Sequence, residues 1–113
     1  MEGCTMKNAM NIFDKLNWIT ADNYPDGTLQ KTLRNEKNAK TILLKLPKRF
    51  KMDRHSHVTT EQHIVLKGSY KNNGITYSSG SYRNIPAHTD HGPFESKNGA
   101  LILVIWDPYE PAE

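Results

Sequence analysis

Beyond residue 24 the chain is cut into short apolar runs by turn-forming residues, and this spacing limits the fold more than any other feature. Tyr24-Pro25-Asp26-Gly27 has proline ready for the second turn position and glycine ready for positive φ. Pro47 stops a run from Thr41 to Leu46. Gly68, Asn72-Asn73-Gly74, Ser79-Gly80 and Pro86 break the chain further on. Between the breaks lie strand-like runs at Thr28 to Leu33, His63 to Leu66, Ile75 to Tyr77 and Ser81 to Ile85, and the strongest of all at Ala100 to Trp106. The polar residues Arg34 to Asn38 separate the first two runs. Many short strands at close spacing predict an all-β sandwich or barrel. About eight strands would enclose room for side chains or one small ligand.

The first residues read differently. Met6, Met10, Phe13, Leu16 and Ile12 or Ile19 are spaced by three and four, the pattern of a short amphipathic helix. Trp18-Ile19 can equally be extended chain packed on the body of the fold. The expected organisation is therefore an N-terminal extension over residues 1–23 and a barrel over residues 24–113.

At 113 residues the chain is sized for a single domain. The longest apolar run, Ala100 to Trp106, falls far short of the roughly 20 residues of a membrane helix. The start, Met1-Glu2-Gly3-Cys4-Thr5-Met6-Lys7, lacks a charged region followed by an apolar block, so a cytoplasmic setting is expected. One cysteine, Cys4, leaves no intrachain disulfide. Through Arg54 there are eleven Lys and Arg against six Asp and Glu, a net of +5, and the remainder carries four against six, a net of −2. Lys45, Lys48, Arg49, Lys51 and Arg54 concentrate the excess, but no aromatic residues interleave them as a single-strand nucleic-acid platform requires. A solvated strand edge is the reading adopted, with no nucleic-acid or membrane partner.

All five histidines fall between residues 55 and 91. His55 and His57 are one residue apart and would share one face of a strand. Glu61 follows closely, and imidazole nitrogen with carboxylate oxygen suits a first-row divalent metal. The wider spacing is more specific. His55-x-His57-x3-Glu61 leads by six residues to Gly68, while Gly80 leads by five to Pro86, with His91 five further on. This pattern resembles the cupin superfamily, whose two motifs are G-x5-H-x-H-x3,4-E-x6-G and G-x5-P-x-G-x2-H-x3-N. Trp18, Pro25-Asp26-Gly27 and the terminal apolar strand are similar to the compact single-domain cupins of the ChrR-like and acetylacetone dioxygenase-like group. The sequence departs from the motifs at Arg49 and His88, which stand in glycine positions, and at Glu95, which stands in place of asparagine.

The resemblance implies a small jelly-roll barrel with metal ligands His55, His57, Glu61 and His91. It also implies a cofactor such as Fe, Mn, Ni or Zn. It points to a dioxygenase acting on a small enolisable or dicarbonyl compound, or alternatively to a non-catalytic metal-binding sensor or small-ligand module. His63, two residues past Glu61, should face the same cavity as a supporting group, a general base, an alternative ligand or a plain core histidine. His88 is a second catalytic candidate, in a turn where exposure is expected. A homodimer is expected from the family, with the segment around Trp18 as its exchanged element.

Overall fold

The computed structural model describes residues 9–53, 59–89 and 92–107. Nine strands occur among them: β1 (Ile19–Thr20), β2 (Leu29–Glu36), β3 (Ala39–Leu46), β4 (Phe50–Met52), β5 (Glu61–Asn72), β6 (Ile75–Ser78), β7 (Tyr82–Ile85), β8 (Phe94–Ser96) and β9 (Ala100–Trp106). All pairings are antiparallel, and the strands curl into the expected all-β cupin-like architecture. No helix among these residues is long and apolar enough to cross a membrane.

One wall has the order β1-β2-β3-β9-β5-β7, and the other is built from β6, β5, β8 and β4. Strand β5 belongs to both. Its first part pairs with β9 and β7, and its last residues pair with β6 and β8. The crossing lies at a register shift between Val65 and Lys67 and at Gly68, whose φ is 73°. A side-chain carbon on Gly68 would overlap the Gly99 carbonyl oxygen, so the two strands meet backbone to backbone there.

The core sits between the walls. Ile42, Leu44 and Leu46 from β3 face Ile102, Val104 and Trp106 from β9, with Val65, Phe50 and Phe94 closing the packing. Fully burying one such side chain contributes about 1.5–3 kcal/mol. In β9, outward Leu101, Leu103 and Ile105 alternate with the inward residues and are only half-buried. That alternation is the period-two pattern of a strand with one wet face.

Two readings of the sequence change. The polar stretch after Leu33 is mostly strand: β2 runs to Glu36, β3 begins at Ala39, and Lys37-Asn38 is the connection. The tip of this hairpin is exposed on both faces, and Arg34 and Glu36 pair there at 3.0 Å, so its composition carries no apolar alternation. Residues 12–17 form turns and bends rather than a helical turn. Asn11 Oδ1 accepts the Phe13 N–H at 2.9 Å and Asp14 Oδ1 accepts the Leu16 N–H at 2.9 Å. These local bonds offer the backbone an alternative to the helical ladder.

The segment is fastened instead from below. Lys31 of β2 is only 2% exposed, and its ammonium donates to Asp14 Oδ1 at 2.6 Å and to the Asp14 carbonyl at 3.1 Å. The same ammonium lies 5.5 Å from the Trp18 ring centroid. Lys31 stands opposite Leu43, which is fully buried on the outward face of β3.

Candidate metal centre

Strand β5 begins at Glu61, and its alternation turns Glu61 and His63 inward together, 5% and 7% exposed. They form the polar corner of an interior space of about 400 Å³ that includes its solvent-facing mouth. The remaining walls are largely apolar, with Leu44, Leu46, Ile102 and Val104 on one side and Phe50 and Phe94 on the other. Tyr24 reaches the same space. Burial, and secondarily the negative charge of Glu61, push its phenol well above the ordinary value.

His63 uses both ring nitrogens. Nε2 lies 2.8 Å from Glu61 Oε1, and Nδ1 lies 2.7 Å from the Tyr70 hydroxyl. Arg83 of β7 donates from Nη1 to the Tyr70 oxygen at 3.1 Å. Its guanidinium also lies 4.0 Å from the Tyr77 ring centroid, a cation–π contact. Because a carboxylate can only accept, the proton of the neutral His63 ring sits on Nε2 and is donated to Glu61. The bare Nδ1 then accepts the Tyr70 hydroxyl proton, while the Tyr70 oxygen accepts from Arg83. Burial raises the Tyr70 pKa, and the bond from Arg83 works against that rise.

The same arginine reaches the other end of the site. Nη2 donates to Asn72 Oδ1 at 3.1 Å, and Asn72 Nδ2 donates to the carbonyls of Gly92 at 3.0 Å and Pro93 at 3.2 Å. A second tie links the two motif regions, since Thr60 Oγ1 accepts the Ala87 N–H at 3.1 Å.

Of the four expected metal ligands, Glu61 is described, and it lines the cavity. His55, His57 and His91 lie outside the described residues. Among the described residues no group of three His, Cys, Asp or Glu side chains is placed to hold a metal. His63 is in the cavity, bonded to side chains rather than backbone, with neither nitrogen turned away from a partner. His88 is exposed in its turn. A buried carboxylate oriented by an imidazole N–H is the arrangement that commonly surrounds a metal-binding carboxylate, so the donor chemistry fits a divalent ion.

At the motif departures, Arg49 has φ 62° and His88 has φ 61°. Both keep the left-handed backbone that glycine would supply. Glu95 points outward on β8, opposite Lys51 on β4 and Lys71 on β5.

Arg83, Asn72 and the bonding role of Tyr70 are not evident from the sequence. Counting by two from Glu61 gives His63 and Val65, which would put Tyr70 and Asn72 on the outer face. The irregularity between Val65 and Lys67 resets the alternation and turns both inward. An arginine two residues before the inward Ile85 was the only available clue.

Comparison with known proteins agrees with this architecture. The family model described as the ChrR cupin-like domain matches residues 6–110. Among solved structures, the complex of Rhodobacter sphaeroides SigE with the anti-sigma ChrR matches with a TM-score of 0.70 at 20% identity. That match covers 84% of this chain and 51% of the other, so the chain spans about half the length of that relative. An acetylacetone dioxygenase from Acinetobacter johnsonii matches with a TM-score of 0.69 at 16% identity, over 95% of this chain and 80% of that one. The polyketide cyclase RemF from Streptomyces resistomycificus matches at 0.68 and 16% identity, over 77% and 69%. No curated protein matches the sequence. The match over residues 6–110 establishes that the chain belongs to the ChrR cupin-like domain family.

Proposed function

We propose that the chain is a divalent-metal-binding cupin acting as a dioxygenase on a small enolisable or dicarbonyl compound. The observation that carries the reading is the Glu61 carboxylate, held by His63 at 2.8 Å in the one polar corner of an apolar cavity. His55, His57, Glu61 and His91 would hold the metal, with Fe, Mn, Ni and Zn as the candidates. When bound, it supplies Lewis-acid polarisation of the substrate's oxygens.

The chain's own residues supply the rest. The aliphatic and aromatic walls hold the carbon skeleton and keep water from it. His63 keeps the carboxylate oriented, and it is the proposed group for proton handling at the cavity wall. His88, in its exposed turn, would act only at the rim. We further propose that the protein works as a homodimer, a reading supported by the exposed Phe13, Leu16 and Ile19 of the N-terminal segment.

A second reading, a non-catalytic metal-binding sensor or small-ligand module, is favoured by the family match and by the likeness to the anti-sigma ChrR. Elemental analysis of protein purified without a metal-affinity tag separates the two. Iron or manganese, with oxygen uptake on adding a β-diketone, supports the dioxygenase. Tightly held zinc, and no oxygen uptake with β-diketones, thiol acids or flavonols, supports the sensor. His57→Ala should lose the metal in either case, and stoichiometric retention would refute the ligand assignment.

A further inference from the structure

We propose that Arg83 is the positioning residue of the centre, acting on Glu61 through Tyr70 and His63, and on the chain beside His91 through Asn72. The inference rests on the metal-binding reading of the site.

Three observations carry it. First, the bonds form an unbroken side-chain path: Arg83 to Tyr70 at 3.1 Å, Tyr70 to His63 at 2.7 Å, and His63 to Glu61 at 2.8 Å. Second, the path has one direction only. The Glu61 carboxylate can only accept and the Arg83 guanidinium can only donate, so the His63 Nε2–H points to Glu61 and the Tyr70 hydroxyl points to Nδ1. Without Arg83 the Tyr70 hydroxyl loses the donor that holds it toward Nδ1, and without that hydroxyl the His63 ring is held by Glu61 alone. Third, Arg83 branches. Its other arm fixes Asn72, whose amide holds the Gly92 and Pro93 carbonyls, next in sequence to His91. The only two of these groups adjacent to expected ligands, His63 and the Gly92 backbone, are thereby joined through one planar fork. The stacking of that fork on Tyr77 at 4.0 Å holds it in register.

A lysine could supply charge here but not two divergent donors in a plane. Arg83 does not itself line the cavity and reaches its wall only through Tyr70, which makes it a positioning residue rather than a catalytic one.

The test uses Arg83→Met, Arg83→Lys and Tyr70→Phe, the last retaining the ring and its packing should the first two fail to fold. Long-range 1H–15N spectra of the metal-free protein report the His63 tautomer directly. The wild type should show the Nε2–H form alone, and Tyr70→Phe and Arg83→Met should shift the Nδ1 resonance as its hydrogen bond is lost or loosened. In the same variants, affinity for Co(II) measured against a competing chelator should fall about tenfold or more. The Co(II) absorption bands should shift while the far-ultraviolet circular dichroism is unchanged, and Arg83→Lys should restore neither property fully. An Nδ1–H tautomer in the wild type would overturn the proposal. So would variants whose Nδ1 resonance, Co(II) affinity and spectrum all match the wild type. Failure of the wild type itself to bind any metal would instead defeat the metal-centre reading, which the tautomer measurement distinguishes.

Discussion

Gly68 and Gly99 meet where β5 passes from one wall to the other, and neither has room for a side chain. Gly68 would collide with the Gly99 carbonyl oxygen, and a Cβ on Gly99 would lie 2.9 Å from the Leu46 carbonyl oxygen. Both have positive φ, 73° and 91°. Gly80 shares that conformation, with φ 94°, but a Cβ there meets nothing within 4 Å. The three alanine variants should therefore separate. Gly80→Ala should cost about 1–2 kcal/mol, the penalty of a left-handed residue alone. Gly68→Ala should cost about 3 kcal/mol or more, because backbone cannot step aside as a flexible side chain can. Urea denaturation measures all three, and equal losses would show that backbone conformation, not crowding, is what these positions require.

Arg49 and His88 stand where the cupin motifs have glycine, and both take up the left-handed backbone, at φ 62° and 61°. Both are exposed, so no buried contact is seen to offset the strain. Glycine would relieve it while adding freedom to the unfolded chain, and the two effects oppose each other. Arg49→Gly and His88→Gly should thus be neutral or up to about 1 kcal/mol more stable than the parent in thermal unfolding. Valine at either position should lose about 1–2 kcal/mol, since a branched side chain tolerates positive φ worst.

How far the sequence could be read follows from the same particulars. Asn73-Gly74 was legible because both residues need positive φ, and they have 54° and 80°. Ala100 to Trp106 was legible because its apolar run is bounded and unbroken. The pairing of Glu61 with His63 followed from strand alternation alone. The rest of the relay did not, because the irregularity past Val65 changes which parity faces inward, and nothing local in the sequence announces it. The N-terminal segment misled for another reason. Its three-and-four apolar spacing is real, but Met10, Phe13 and Leu16 are 47%, 56% and 66% exposed, while Asn11 and Asp14 bind the backbone locally. What holds this segment is polar: a buried lysine some seventeen residues further along the chain.

That lysine gives the segment a pH dependence with a definite sign. Asp14 is held below its ordinary value of 3.8, chiefly by the hydrogen bond from Lys31, then by the Leu16 N–H, with desolvation opposing and the charge of Lys31 assisting. A carboxylate depressed on folding contributes its stabilisation fully above the unfolded value and loses it as pH falls through the folded one. Docking of residues 9–18 should therefore be constant from neutral pH down to about 4 and weaken below 3.8. Acrylamide quenching of Trp18, in a Trp106→Phe background, follows it without interference from the core indole. Lys31→Met keeps an apolar stem in the buried position but removes the donor, so its Trp18 should be readily quenched at every pH. Asp14→Asn should leave Trp18 more accessible than in the parent at pH 7 and no different from it well below 3.8. A parent protein whose Trp18 is equally shielded at pH 7 and pH 3 would show that the Lys31–Asp14 pair does not hold the segment. The contact between Lys31 and the Trp18 ring, at 5.5 Å, would then be the fastening instead.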